Sequence, residues 1–308
     1  MVGIIGDIMQ DFILYIRDYP EAGTETTISE STKRIGGSAC NTAMVLGDLN
    51  SRVCLYSQVG DDTVGNAVLD TLRKKNVSTT FVSVHPTMAS GFIMIAVSDG
   101  GQRTMFSYRP KEPLPDREDS EDAFIEQITL LHLSGYIFLG ERERAICDRI
   151  IGKAKKKGIP ILLDPGISPV KRIPDYVTQK IAEVDFFLPD ERELRFLTGE
   201  SKPDEGVKKL KRYLGKTAVQ PVIIVKRGKE GCEVYKQDNR ISIPATHTVI
   251  AINTTGAGDA FNAGFIYGLI HEFSLDRCAF VANEMGYQVV KTPESIAGKH
   301  FDFSRDFS

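Results

Sequence analysis

Short apolar runs alternate with stretches of helical periodicity along most of this 308-residue chain. That alternation most narrows what it can fold into. Val2 to Ile5 is an apolar run closed by Gly6, the pattern of a buried first strand. Ser38 to Leu49 reads as a helix and Arg52 to Val59 as a strand. Asp61 and Asp62 stand ready to cap the next helix, whose Val64, Val68 and Leu72 share one face. Strands follow at Leu130 to Leu133, Ile161 to Leu163, Asp185 to Leu188 and Val222 to Val225, with helical stretches between them. One of these helices carries Ile146, Ile150 and Ala154, and two more, Ala257 to Ile270 and Ser274 to Val290, close the pattern. Such a sequence predicts an α/β fold with a mostly parallel central sheet flanked by helices on both faces.

Two regions break the alternation. Phe12 to Ile16 and Glu25 to Ile35 read as strands with no helix between them. Gly91 to Val97 and Arg103 to Tyr108 flank Ser98-Asp99-Gly100-Gly101, a hairpin signal because Asp-Gly tolerates positive φ. Together they predict a small antiparallel sheet projecting from the main body, suited to cover a site or to pair with a second copy. Lys111 to Asp119 is its polar exit loop.

Charge and cysteine usage remove several function classes. With 38 basic and 41 acidic residues the net charge is −3, so no overall field draws nucleic acid or an anionic membrane. The basic run Lys153 to Lys157 falls in a helical stretch and reads as a solvated face. Five cysteines, widely spaced and without a C-x-x-C pair, argue against a disulfide framework or zinc site. The opening residues lack the basic leader and long apolar stretch of a signal peptide, and no run approaches the ~20 apolar residues of a membrane span. A cytoplasmic location is expected.

Glycine placement points to chemistry. Asn253-Thr254-Thr255-Gly256-Ala257-Gly258-Asp259 opens an apolar helix, so the amides of Gly256, Ala257 and Gly258 can face a phosphoryl group at the positive end of the dipole. Asp259, in the first turn, can take a proton from an attacking hydroxyl. Read alone, the same residues serve as an N-capping turn. Gly36-Gly37-Ser38-Ala39-Cys40-Asn41 also enters a helix, where the backbone can approach a polyhydroxylated ligand and Asn41 offers a donor and an acceptor; alone it is a turn. Asp7 and Asp11 follow the first strand, where open α/β sheets bind ligands. Their carboxylates suit paired hydroxyls or simple loop solvation equally.

Taken in order, these segments, with Asp190 and Glu193 and with Val225-Lys226-Arg227-Gly228-Lys229-Glu230-Gly231, resemble the ribokinase-like, or PfkB-type, carbohydrate kinase family from residue 3 to about residue 290. The resemblance implies one kinase domain over residues 1–308, with a lid formed by segments of approximately 12–35 and 89–110. It implies an ATP-dependent phosphotransferase acting on an alcohol group of a small sugar, with Asp259 as general base and Gly256 to Gly258 as anion hole. Asp11, Gly36, Gly37 and Asn41 match sugar-binding positions, and Asp7 lies beside them. Arg103 and Arg109, on the second lid strand and its exit, fall where relatives carry substrate-binding arginines. Lys226, Gly228, Gly231, Thr255, Gly256, Gly258 and Asn283 match nucleotide-binding segments. Glu193 matches the acidic residue of an N-x-x-E motif that organises Mg2+ through water, with Asp190 in place of Asn. Asp190 and Glu193 also have the spacing of a helix capping box.

Departures from the family pattern bear on substrate and ions. Ser107 stands where sugar-acid kinases have tyrosine, and Asp164-Pro165-Gly166-Ile167-Ser168 lacks the arginine that accompanies a substrate carboxylate. The resemblance thus implies a neutral ketose, pentose, polyol or nucleoside, with Arg109 the feature in favour of a carboxylate. Lys226 replaces a small hydroxyl residue, and Asn253 an aspartate that helps hold a monovalent cation, which implies little dependence on potassium. Many relatives pair their lids, so a homodimer is expected. A nucleoside kinase and a non-catalytic sugar-binding regulator are the alternatives. A nicotinamide enzyme would need G-x-G-x-x-G after the first strand and a P-loop kinase G-x-x-x-x-G-K-[ST]; neither is present.

Overall fold

A computed structural model describes residues 1–308 apart from 101, 113, 116, 216–219, 248–253, 292–295 and 297–308. Its first half runs β1 (Val2–Ile5), β2 (Met9–Ile16), β3 (Ile28–Gly36), α1 (Ser38–Asp48), β4 (Val53–Gly60), α2 (Thr63–Lys74), β5 (Val77–Ser78), β6 (Val82–His85), β7 (Phe92–Ser98) and β8 (Arg103–Tyr108). There follow α3 (Glu118–Gln127), β9 (Leu130–Ser134), α4 (Glu141–Lys156), β10 (Ile161–Asp164), α5 (Ile167–Arg172), α6 (Pro174–Ile181), β11 (Phe186–Phe187), α7 (Glu191–Thr198) and α8 (Pro203–Leu214). The chain closes with β12 (Val222–Lys226), β13 (Cys232–Lys236), β14 (Asn239–Ile243), α9 (Ala257–Ile270) and α10 (Leu275–Val290).

The larger sheet has the order β14-β13-β12-β11-β10-β9-β1-β4-β5, with β6 also paired to β4. From β12 to β5 every pairing is parallel, and β13 and β14 add an antiparallel edge. Its strands are buried on both faces, which is why they read as continuous apolar runs rather than alternating ones. Successive side chains go to opposite sides. Ile4, Leu162 and Ile224 join a core built with α1, α9 and α10. Ile5, Leu163 and Ile223 join a second core with α3, α4 and α6. β1 lies between β4 and β9, so the chain leaves the sheet in opposite directions around it. The carboxyl ends of β1, β9, β10 and β12 therefore border a crevice of the kind in which such sheets bind ligands.

The small sheet is present, with the order β3-β2-β7-β8. Its outer pairings are antiparallel, but the two hairpins join through β2 and β7, which run parallel. β2 also starts at Met9, because Met9, Gln10 and Asp11 pair with Gly36, Ile35 and Arg34. Asp11 is thus a strand residue, 8% exposed, not part of a solvated loop. On one face Asp11, Ile13 and Ile95 are buried. On the other, Phe12 packs on Phe92 and Phe92 on Tyr108, beside the exposed Met94 and Phe106.

All five cysteines are free and buried. Among the described residues no helix is long and apolar enough to cross a membrane.

Of the two expected caps, Asp62 forms. Its Oδ1 accepts the Gly65 amide at 2.7 Å and the Ser90 hydroxyl at 2.8 Å, and its Oδ2 accepts the Ser90 amide at 2.8 Å. One carboxylate thus closes α2 and ties it to the segment entering β7. Burial raises the Asp62 pKa, but the hydrogen bonds from Ser90 and Gly65 outweigh it, so the carboxyl ends below its ordinary value. Asp62→Ala is expected to lose about 2 kcal/mol of stability in urea unfolding at pH 7. A depressed carboxyl pKa stabilises above that pKa, so the difference from the parent should shrink as pH falls through it.

Candidate active site

The left-handed conformation of Gly256 (φ 85°), which side chains rarely adopt, turns the chain into α9. No side chain caps this helix. The Gly256 and Gly258 amides take no backbone partner among the described residues, whereas the Ala257 amide donates to the Thr254 carbonyl at 3.2 Å. Two of the three expected amides are therefore open to an anion, and the third is turned inward. α1 starts through Gly37 (φ 94°), where a Cβ would come within 2.5 Å of the Asp7 carbonyl oxygen. Only glycine lets this turn lie against the end of β1.

The two helix starts face each other across Asp259. Its Oδ1 accepts the Ser38 hydroxyl and its Oδ2 the Asn41 amide, both at 2.7 Å. Burial drives the Asp259 pKa up, the Asn41 and Ser38 hydrogen bonds oppose it, and Asp164 adds to the rise; the result is about 7. Asn41 spends its donor on Asp259, which leaves its carbonyl for a ligand. Ser38 was not expected here, although it lies one turn before Asn41 in the same glycine-led segment.

Asp11 lies against Gly36, where a Cβ would meet its Oδ2 at 2.5 Å. Burial, and then the neighbouring Asp7, pushes Asp11 up to about 6. Asp7 Oδ2 accepts from Arg109 at 3.0 Å, and the Arg109 guanidinium lies 5.1 Å from the centre of the Tyr136 ring. The second oxygens of both carboxylates, Asp7 Oδ1 and Asp11 Oδ1, are buried with no hydrogen-bond partner among the described residues. Beside Asp7 opens a cavity of about 600 Å3, lined also by Gln58, Arg109 and Tyr136. Arg103 sits elsewhere: it begins β8, far along the strand from Arg109, and donates to the Thr255 hydroxyl at 3.1 Å. The structure thus sets an expected substrate residue against Thr255, an expected nucleotide residue.

Behind Asp259 lies a charged cluster. The Lys226 ammonium is 3.4 Å from Asp164 Oδ1 and 3.4 Å from the Asn262 carbonyl oxygen, and Asn262 donates to Asp164 Oδ2. It also stands 3.9 Å from the position of a Cβ on Gly258. Burial lowers the Lys226 pKa, yet Asp164, Glu193, Asp190 and Asp259 together raise it above the ordinary value. Glu193 is raised, first by burial and then by Asp164. Asp164 follows an apolar strand as Asp7 does, so the strand-end rule could have found it. His132, inside β9, has neither ring nitrogen partnered, and burial drops its pKa to about 4, so it is a neutral core residue.

Asp190 and Glu193 form the capping box of α7: Asp190 Oδ1 accepts the Glu193 amide at 2.7 Å, and Glu193 Oε2 accepts the Asp190 amide at 2.8 Å. One oxygen of each remains outside the box. No cluster of three metal-ligating side chains occurs among the described residues; the two carboxylate oxygens left outside the box are hard donors of the kind that suits Mg2+ through its waters.

Lys226, Gly228, Gly231, Gly258 and Asn283 line a second, more apolar cleft of about 230 Å3, whereas Thr255 and Gly256 lie outside its walls. Asn283 donates to the Ile243 carbonyl at 3.2 Å. The wall also holds His247, stacked on Tyr287 at 4.2 Å. These two were missed, since they come from a connecting segment and the far end of α10 with no motif between them. Asn253 lies outside the described residues.

An open parallel sheet here carries a helix start with no side-chain cap, a cavity of about 600 Å3 beside Asp7 and an apolar cleft of about 230 Å3. The family model of the pfkB carbohydrate kinases matches residues 1–300, and the chain belongs to that family. A deoxyribokinase of Salmonella typhi is 29% identical over 271 residues, 86% of this chain and 84% of its own. The structure of Arabidopsis thaliana ribokinase with ribose and ATP superposes with a TM-score of 0.81 at 21% identity, over 96% of this chain and 94% of that one. An adenosine kinase from Sinorhizobium meliloti gives 0.83 at 22%, over 96% and 97%. These likenesses establish the ribokinase-like fold.

The raised Asp259 pKa has a stability consequence. A carboxyl whose folded pKa lies above its ordinary value of 3.8 weakens the fold as pH rises from there to about 7. Asn at this position cannot ionise. The melting temperature of Asp259→Asn relative to the parent is expected to climb from about pH 4 to about pH 7 and to level off above. A pH-independent difference would contradict the raised pKa.

Proposed function

We propose that the protein transfers the γ-phosphoryl group of ATP to a hydroxyl of a small sugar. The observation that carries this reading is Asp259, with a pKa near 7, held between the open Gly256 and Gly258 amides and the Ser38–Asn41 start of α1. A base poised near the working pH is the efficient choice for proton abstraction. The sugar lies against Asp7, Asp11, Gly36, Gly37 and Asn41, with its hydroxyls donating to the unpaired Asp7 Oδ1 and Asp11 Oδ1. ATP occupies the apolar cleft, its phosphates reaching Lys226 and the α9 start.

Asp259 exchanges one of its two present donors for the acceptor hydroxyl and takes its proton. The sugar oxygen bonds to the γ-phosphorus as the bond to the β–γ bridging oxygen breaks and ADP leaves. Negative charge gathering on the equatorial oxygens meets the Gly256 and Gly258 amides and the Lys226 ammonium. Asp190 and Glu193 would hold Mg2+ through water, which supplies charge neutralisation on the ATP phosphates.

The small sheet acts as the lid of a single kinase domain. Arg109 on Asp7 and Arg103 on Thr255 tie one strand to both substrate sites, which supports this role. The exposed Met94 and Phe106 beside Phe92 and Tyr108 form an apolar outer face, and this supports a homodimer through paired lids.

Asp259→Asn is expected to lower kcat by ~10²–10⁴ with little change in the KM for ATP. Near-parental kcat would remove Asp259 as the base. Phe106→Glu should reduce the light-scattering mass from dimer to monomer, and an unchanged mass would place the dimer contact elsewhere or exclude it.

A further inference from the structure

Of the proposed sugar-site residues, Asp7 lines the cavity of about 600 Å3, most of which lies beyond that site. From Gly6–Met9 it extends past Tyr136 to the starts and ends of other elements: Lys111 after β8, Arg142 at the start of α4 and Arg172 at the end of α5. Its charges are unevenly matched. Each lining carboxylate is engaged: Asp7 by Arg109 at 3.0 Å, Glu141 by Arg144 at 3.5 Å, and Glu143 by the Leu114 amide at 3.1 Å. Lys111, Arg142 and Arg172 have no hydrogen-bond or ion-pair partner among the described residues. Gln58 adds a buried Oε1 with no hydrogen-bond partner among the described residues. Three carboxylates and four cations therefore line one pocket, and three of those cations have no partner among the described residues.

Resting on the kinase reading above, we infer that the acceptor is a sugar already carrying a phosphate monoester, with Lys111, Arg142 and Arg172 binding that group. Asp259 does not line this cavity, so a substrate that reaches both Asp259 and the basic end puts its phosphate away from the reacting hydroxyl. Three unpaired cations match a group of nearly two charges and three acceptor oxygens better than a carboxylate, which one arginine fork satisfies. The arginine missing after Asp164 is consistent with this, because the anion is met from other elements. The product is a sugar bisphosphate, and the reaction that consumes it must accept two phosphate groups.

The test measures ADP formation from Mg-ATP with paired acceptors: ribose against ribose 1-phosphate and ribose 5-phosphate, fructose against fructose 6-phosphate, and gluconate as the carboxylate arm. At least one sugar phosphate is expected to exceed its neutral partner in kcat/KM by about 10- to 100-fold, the scale of one or two charge-assisted hydrogen bonds. Its KM should rise with added salt, since these cations are solvent-facing. Arg142→Gln and Arg172→Gln should each raise that KM about tenfold without the same rise in the KM for ATP. Equal or better use of neutral sugars, preference for gluconate, or an unmoved KM in both variants would overturn the inference while leaving the kinase reading intact. If no acceptor is turned over, the kinase reading fails. Calorimetric binding of the same sugar phosphates without ATP then decides: binding lost in the double variant supports the basic end, and no binding to the parent protein overturns it.

Discussion

Asp164, the Asp190–Glu193 pair and Asp259 come from three separate parts of the chain, and the negative charge of each acts on the Lys226 ammonium, which stands at the end of β12 at 12% side-chain exposure. Carboxylates brought this close and this far from water repel one another and lose hydration; without a cation at their centre they would protonate or move apart. The pKa directions follow from this arrangement: Lys226 is held charged despite burial, while Asp259 and Glu193 are pushed toward their neutral forms. Asn262 adds an uncharged donor to Asp164 and an acceptor to Lys226, linking α9 to the same cluster. Lys226 thus joins the end of β12 to Asp164 at the end of β10 and to Asn262 in α9.

α9 belongs to both candidate substrate sites at once. Gly258 lines the apolar cleft and lies near Lys226, while Asp259, the next residue, is bonded to α1 on the opposite side. β8 and the residue after it repeat this pairing, with Arg103 bonded to Thr255 and Arg109 to Asp7. A shift of that strand disturbs both contacts together.

Local signals in the sequence located the elements well. The α9 boundaries, the Asp62 cap and the capping box at Asp190 and Glu193 all follow from residues within a turn of one another. What stayed hidden depends on partners remote in sequence. Asp11 looked like a loop residue because its strand is defined by pairing with Arg34. Arg103 and Arg109 share one expectation as substrate-binding arginines, but a strand rises ~3.3 Å per residue and so separates its two ends widely. The Lys226–Asp164–Asn262 cluster, the His247–Tyr287 stack and the basic cavity walls join segments that no spacing rule connects.

The parallel union of β2 with β7 also governs how the chain is made. β2 and β3 can close as a hairpin soon after synthesis, but the inner edge of β2 finds its partner only when β7 has left the ribosome. At ~5–20 residues per second that interval lasts roughly 4–15 s. Throughout it, the backbone of Met9–Ile16 offers an unpaired, partly apolar edge to any extended chain nearby. The nascent polypeptide therefore carries an aggregation hazard at this edge early, and a holding chaperone would be valuable in those seconds.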